Sequence, residues 1–170
     1  DGSAYVSLPS HVASPDSAAV LACILLVAVG FAITHLIAIA HRVFVNDFEF
    51  VTSGPWWSRA LLAGTGLSAL YLFGGPLVQF TGNQAIAPMI QQAASLGYVG
   101  LAWIFGIKIL AIAWSKALGY RGGLVFPSVF AASVAVAFAQ LAFSNLSFMV
   151  GFSAVMVGIL VANAKVKILF

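Results

Sequence analysis

The stretch from Lys108 to Ser128 holds the residues best suited to chemistry in this chain. It reads as an apolar helix with a lysine inside it, then a glycine-rich interruption, Gly119-Tyr120-Arg121-Gly122-Gly123, then a second apolar run that opens Leu124-Val125-Phe126-Pro127-Ser128. A helix that starts after such a break presents N–H groups with no partner inside the helix. Its macrodipole adds partial positive charge at the same end. Gly122 and Gly123 carry no side chain, so a ligand can approach the backbone there, and Pro127 fits a first helical turn. The chemistry on offer is the binding of a small anion by backbone dipoles, with no formal positive charge set directly on the ion. Such a site can strip water from an ion and still release it, which suits transport. A glycine kink that only packs two helices together is the other reading of the same residues.

Charged and polar side chains around this segment are few. Lys108 lies near the middle of an apolar run, where a charge is expensive and so a functional candidate; the alternatives are that it snorkels or pairs with a carbonyl. Arg121 either steers anions at a pore mouth or caps the C-terminus of the preceding helix. Lys116 reads as a snorkelling end charge. His35 and His41 are six apart and do not share a helix face, and Cys23 is the only cysteine, so no metal site and no cofactor is expected. His35 is expected to hydrogen-bond between helices. The four acids, Asp1, Asp16, Asp47 and Glu49, all fall outside the apolar runs. There is no H-E-x-x-H and no G-x-S-x-G, so acid–base or nucleophilic catalysis lacks its parts and no enzyme is expected.

The elements that must position these residues follow from composition. Of 170 residues, 62% are apolar and 6% charged, against roughly 45–50% and about 25% in soluble domains. Too few charges remain to cover a water-facing surface, so the fold class is an all-α membrane protein, with the lipid bilayer as its surroundings and the cell membrane as its place. Alternation sustained enough for a β-barrel is absent. The net charge of +3 is scattered, and no run of Lys or Arg points to nucleic acid. A polar lead-in, 1–17, ends in Ser14 as a cap with Pro15 in the first turn. Helices are expected at about 18–42, 58–73, 83–94, 98–118, 127–143 and 146–162, with a loop over 43–55 and interfacial Trp56 and Trp57. Gly64, Gly66 and Ser68 put small residues where a neighbouring helix can approach. Arg42, Arg59, Lys116 and Arg121 gather at one set of helix ends, which the positive-inside rule makes cytoplasmic. The chain has no initiator Met and breaks off inside an apolar stretch at Phe170, which reads as a piece of something longer.

Gly119-Tyr120-Arg121-Gly122-Gly123-Leu124-Val125-Phe126-Pro127-Ser128 resembles the G-x-x-G-G-[IL]-x-x-P signature of the CLC chloride channels and chloride/proton antiporters. Ala18 to Phe44, Arg59 to Pro76 with Gly82, and Val150-Gly151-Phe152-Ser153-Ala154 resemble further segments of that family's second half, so 18–170 reads as a partial CLC-like transmembrane domain. The resemblance implies spanning and broken half-helices, part of an inverted-repeat architecture whose helix N-termini meet near the membrane centre around the anion. It implies a homodimer with one pathway per subunit, carrying chloride or a similar small anion as channel or exchanger. The anion would meet the backbone of Leu124 and Val125, with Phe126 beside them and Gly122 and Gly123 permitting the approach. Lys108 would raise the potential of a vestibule. The family's G-S-G-I-P and G-R-E-G-P segments do not occur here, and its R-A-P-L-T is replaced by Asn163-Ala164-Lys165-Val166-Lys167. The alternative function is therefore a non-transporting membrane half that only associates with partners.

Overall fold

The computed structural model describes residues 17–47, 53–79, 82–120, 125–143 and 145–166. Within them the chain is all-helical and contains no strand. The helices are α1 (Ser17–Asp47), α2 (Trp56–Gly74), α3 (Ile86–Ala117), α4 (Val125–Ala142) and α5 (Phe148–Val166), with a 3-10 turn at Asn83–Ala85 before α3. The cap expected at Ser14 and Pro15 lies outside the described residues.

Two boundaries differ from the sequence expectation for a physical reason. The start of the expected loop, 43–47, is helical. Phe44 meets the ring of Trp114 on α3 edge-on, with centroids 5.3 Å apart, so packing extends α1 by another turn past His41-Arg42. The break between the third and fourth expected helices falls at Gly97, whose φ of 61° and ψ of −171° are non-helical. Glycine takes this conformation without a Cβ penalty. Beyond it, residues 98–117 form a helical arm of about 20 residues and ~30 Å. Two helical stretches are long and apolar enough to cross a bilayer, Val20–Asn46 and Ile86–Ala117.

The core consists of two clusters on opposite faces of α4. Ile33 and Ile37 of α1, Ile109 and Ile112 of α3, Ala131, Ala132 and Val136 of α4, and Val155 and Ile159 of α5 form the first. Val78, Met89, Leu101, Ile104, Phe130 and Val134 belong to the second. A helix packed on both sides must be apolar nearly all round, and the alanines of α4 let its neighbours come close.

α1 and α5 touch backbone to backbone. A Cβ at Gly30 would collide with the Val155 carbonyl oxygen, and one at Gly158 with the Val27 carbonyl oxygen. The small residues singled out in α2 behave differently: Gly66 seats the Trp114 ring, whereas Gly64 faces nothing within 4 Å. α2 has no fully buried residue. Leu21, Ile24, Leu72, Phe73, Val99 and Leu160 are all exposed on the outside of the bundle.

Candidate functional site

The break after α3 is built into the backbone. Tyr120 N–H donates to the Ser115 carbonyl at 3.0 Å and Gly119 N–H to the Lys116 carbonyl at 3.1 Å, the paired bonds of a glycine-terminated Schellman end. Gly119 supplies the φ of 86° that this ending needs. The helix therefore stops rather than running on, and a separate helix opens at Val125. Arg121, Gly122, Gly123 and Leu124 lie outside the described residues. Val125 opens α4, Phe126 is 54% exposed and Pro127 is half-buried within the first turn. Pro127 has no N–H, so the free donors of that turn belong to the residues before it.

α3 and α4 run antiparallel. Lys108 Nζ lies 5.0 Å from the centroid of the Phe130 ring, and Tyr98 meets Phe138 edge-on with centroids 5.0 Å apart. With equal rise in both helices, the start of α4 is level with roughly residue 113 of α3, about one turn in from the end of that helix. Arg42, Asp47, Arg59 and Lys116 fall around this same end, on α1, α2 and α3.

Lys108 is 1% exposed. Its ammonium donates to the Val78 carbonyl at 2.9 Å and rests over the Phe130 ring. Of the placements open to it in the sequence, this is pairing with a carbonyl, not snorkelling. The carbonyl is presented by the turn that ends α2, where Gly75 N–H donates to the Tyr71 carbonyl and Val78 N–H to the Gly75 carbonyl. Trp103 Nε1 of α3 donates to the Phe73 carbonyl at 3.0 Å in the same region. The C-terminal end of a helix carries partial negative charge, so Lys108 and Trp103 together close the end of α2. A buried ammonium needs such partners. Gly82 packs on the Phe130 ring, where a Cβ would sit 2.7 Å from Cγ, so the chain passes this node twice between α2 and α3.

Other polar residues take places the sequence did not show. His35 Nδ1 pairs with the Phe31 carbonyl of its own helix at 2.9 Å and stacks on the Phe31 ring at 4.3 Å. The expected bond between helices gives way to this local one, because the His35 ring is already held flat against Phe31. Gln91 and Gln92 are exposed. Ser128 and Asn163, by contrast, are buried, and Ser128 Oγ and Asn163 Oδ1 have no hydrogen-bond partner among the described residues. Asn163 stands out in sequence as the one amide inside the apolar run of α5; Ser128 gives no such signal. Among the described residues no group of His, Cys, Asp and Glu could hold a metal ion.

The chain matches no protein-family model, no curated protein and no solved structure.

Proposed function

We propose that this chain lies in a membrane and forms a pathway for chloride or a similar small anion, on the pattern of the CLC channels and exchangers that its sequence resembles. The observation that carries the reading is the pair of helix ends around Gly119: α3 stops in a Schellman turn and α4 begins afresh at Val125. A fresh helix start offers backbone donors and a positive dipole end to an anion. The apolar exterior, the two helices long enough to cross and the ~30 Å arm after Gly97 support a bilayer as the surroundings.

Lys108 acts on the ion through space in this reading. Its ammonium is engaged with the end of α2, and its charge, undiluted by water, raises the potential along the neighbouring start of α4. The anion meets the backbone near Leu124 and Val125, with Phe126 exposed beside it. No acidic residue lies in α2, α3, α4 or α5, so these helices supply no carboxylate for proton coupling. A second copy of the chain is the proposed partner.

The second reading, a membrane half that associates with a partner and transports nothing, is favoured by α2, which buries none of its residues fully. One experiment separates them. The chain is reconstituted in liposomes loaded with potassium chloride, and chloride efflux is followed after valinomycin addition. Efflux above protein-free liposomes, abolished by Gly122→Leu or Gly123→Leu, supports the pathway. Efflux that either substitution leaves unchanged, or none from a folded, monodisperse protein, overturns it.

A further inference from the structure

We infer that the charged end of the bundle binds an anionic phospholipid, its headgroup held by Arg42, Arg59 and Lys116 and an acyl chain laid along α3 in the groove between α1 and α2. This rests on the bilayer in the reading above and not on the anion pathway.

Fixed charge is confined to one end of the described bundle, apart from the buried Lys108. Residues 17–40, 60–107 and 125–164 contain no Lys, Arg, Asp or Glu. Arg42 lies near the end of α1, Arg59 in the first turn of α2 and Lys116 in the last turn of α3. Asp47 is the one acid among the described residues there.

Trp114 ties these positions together. Its ring meets Phe44 of α1 edge-on and seats on Gly66 of α2. Gly74 lies against Ile107, so α2 runs antiparallel to α3. Arg59, seven residues before Gly66, therefore stands on the same face about two turns beyond the ring. Arg42 precedes Phe44 by two residues and Lys116 follows Trp114 by two. Lys116 is near enough to His41 of α1 for its charge to be felt there. Three helices thus bring three cations within about two turns of one ring. Arg42 is exposed, and Arg59 spends its Nε on the Gly54 carbonyl at 3.2 Å, which orients the rest of its guanidinium. Such a fork matches the oxygens of a phosphate.

An apolar groove leads to this end. α1 and α2 each pack on α3 but scarcely on each other. α3 meets α2 through Trp103, Ile107 and Trp114, and turns Ile109 and Ile112 to the cluster it shares with α1. Between those two faces Val99, Ala102, Gly106 and Leu110 recur at helical spacing. Val99 is 85% exposed and Leu110 38%, Ala102 is exposed, and a Cβ at Gly106 would meet nothing within 4 Å. The stripe is ~17 Å long, close to the ~15 Å hydrocarbon depth of one leaflet. Trp56 and Trp57, both exposed, open α2 at the charged end, where aromatic residues meet the headgroups. Basic residues at the ends of neighbouring helices take anionic headgroups. A free phosphate would meet the same charges and leave the stripe bare, so the apolar floor commits the site to a lipid.

The test measures energy transfer from the tryptophans of the full chain, in neutral detergent micelles, to a pyrene-chain phosphatidylglycerol or to the matching phosphatidylcholine. Phosphatidylglycerol is expected to bind at least about fivefold more tightly at low salt, the effect of a single basic residue near a headgroup, and the preference to shrink as salt rises. Arg42→Gln with Arg59→Gln is expected to remove most of the preference while phosphatidylcholine binds as before. Arg42→Gln alone, at an exposed position, should lower the preference with the fold intact. Gly106→Phe fills open space, so the helix content should hold while binding of both lipids falls. Excess inorganic phosphate should displace little phosphatidylglycerol. Equal binding of the two lipids, or a preference that the arginine variants leave unchanged, overturns the headgroup site while the bilayer reading stands. Unchanged binding in Gly106→Phe overturns the groove, and full displacement by inorganic phosphate shows a free-anion site instead. Transfer to neither lipid from the folded chain refutes the bilayer reading itself, so the two failures are distinguishable.

Discussion

Replacing Gly30 or Gly158 by alanine tests the backbone crossing that holds α1 to α5. Each added methyl meets a main-chain carbonyl oxygen, of Val155 or of Val27, and main chain cannot swing aside as a side chain can. The helices must move apart. Opening packed atoms by ~1 Å forfeits about a quarter to a half of their dispersion attraction, and forced overpacking of this kind costs about 1–3 kcal/mol. Because one separation clears both collisions, the double substitution is expected to cost little more than the worse single one, a strong departure from additivity. Gly64→Ala is the control. Gly64 faces nothing within 4 Å, so alanine there should be neutral or add up to about 1 kcal/mol through helix propensity. The assay is reversible unfolding in mixed micelles on titration with a denaturing detergent. Gly30→Ala and Gly158→Ala as stable as the wild type, or costs that add in full, would falsify the crossing.

Lys108→Met keeps the bulk and removes the charge. Relief of a burial penalty of several kcal/mol per ion outweighs the loss of about 1–3 kcal/mol at the Val78 carbonyl, so unfolding should be no easier, while chloride efflux slows as the potential beside α4 falls. A markedly less stable variant would show that the bond to the end of α2 outweighs the cost of burying the ammonium. At Gly97, the φ of 61° with ψ of −171° is a region almost reserved for glycine, and alanine there should cost about 1–3 kcal/mol. A neutral Gly97→Ala in the same unfolding assay would mean that α3 straightens through this point.

Composition and apolar run length revealed the helical class of the chain, because both depend on residue type summed over long windows. Helix ends were legible where glycine dictates them, as at Gly119. They were less so where tertiary contact decides, as when Phe44 docks on Trp114 and carries α1 through 43–47. The small residues of α2, Gly64 and Gly66, point to a close helix approach there, yet the backbone crossing lies at Gly30 and Gly158. Four helices carry isolated glycines, and only the pairing of α1 with α5 tells which of them face each other. Lys108 was conspicuous as a charge in an apolar run, but its partner, the Val78 carbonyl, lies thirty residues away in sequence and is set by the turn at the end of α2. Ser128 was invisible as a polar feature of the core because serine inside a helix usually bonds to its own backbone.

Under the proposed function, amide hydrogens at the start of α4 bind the anion. The most direct measurement replaces one of them without touching a side chain: Phe126 is exchanged for its α-hydroxy acid, so that an ester takes the place of the amide and the N–H is lost. A hydrogen bond to a charged group is worth about 1.5–3 kcal/mol, which corresponds to about tenfold to a hundredfold weaker anion binding. Chloride efflux at limiting chloride should slow accordingly, with the protein still folded. Efflux at the wild-type rate would contradict the account.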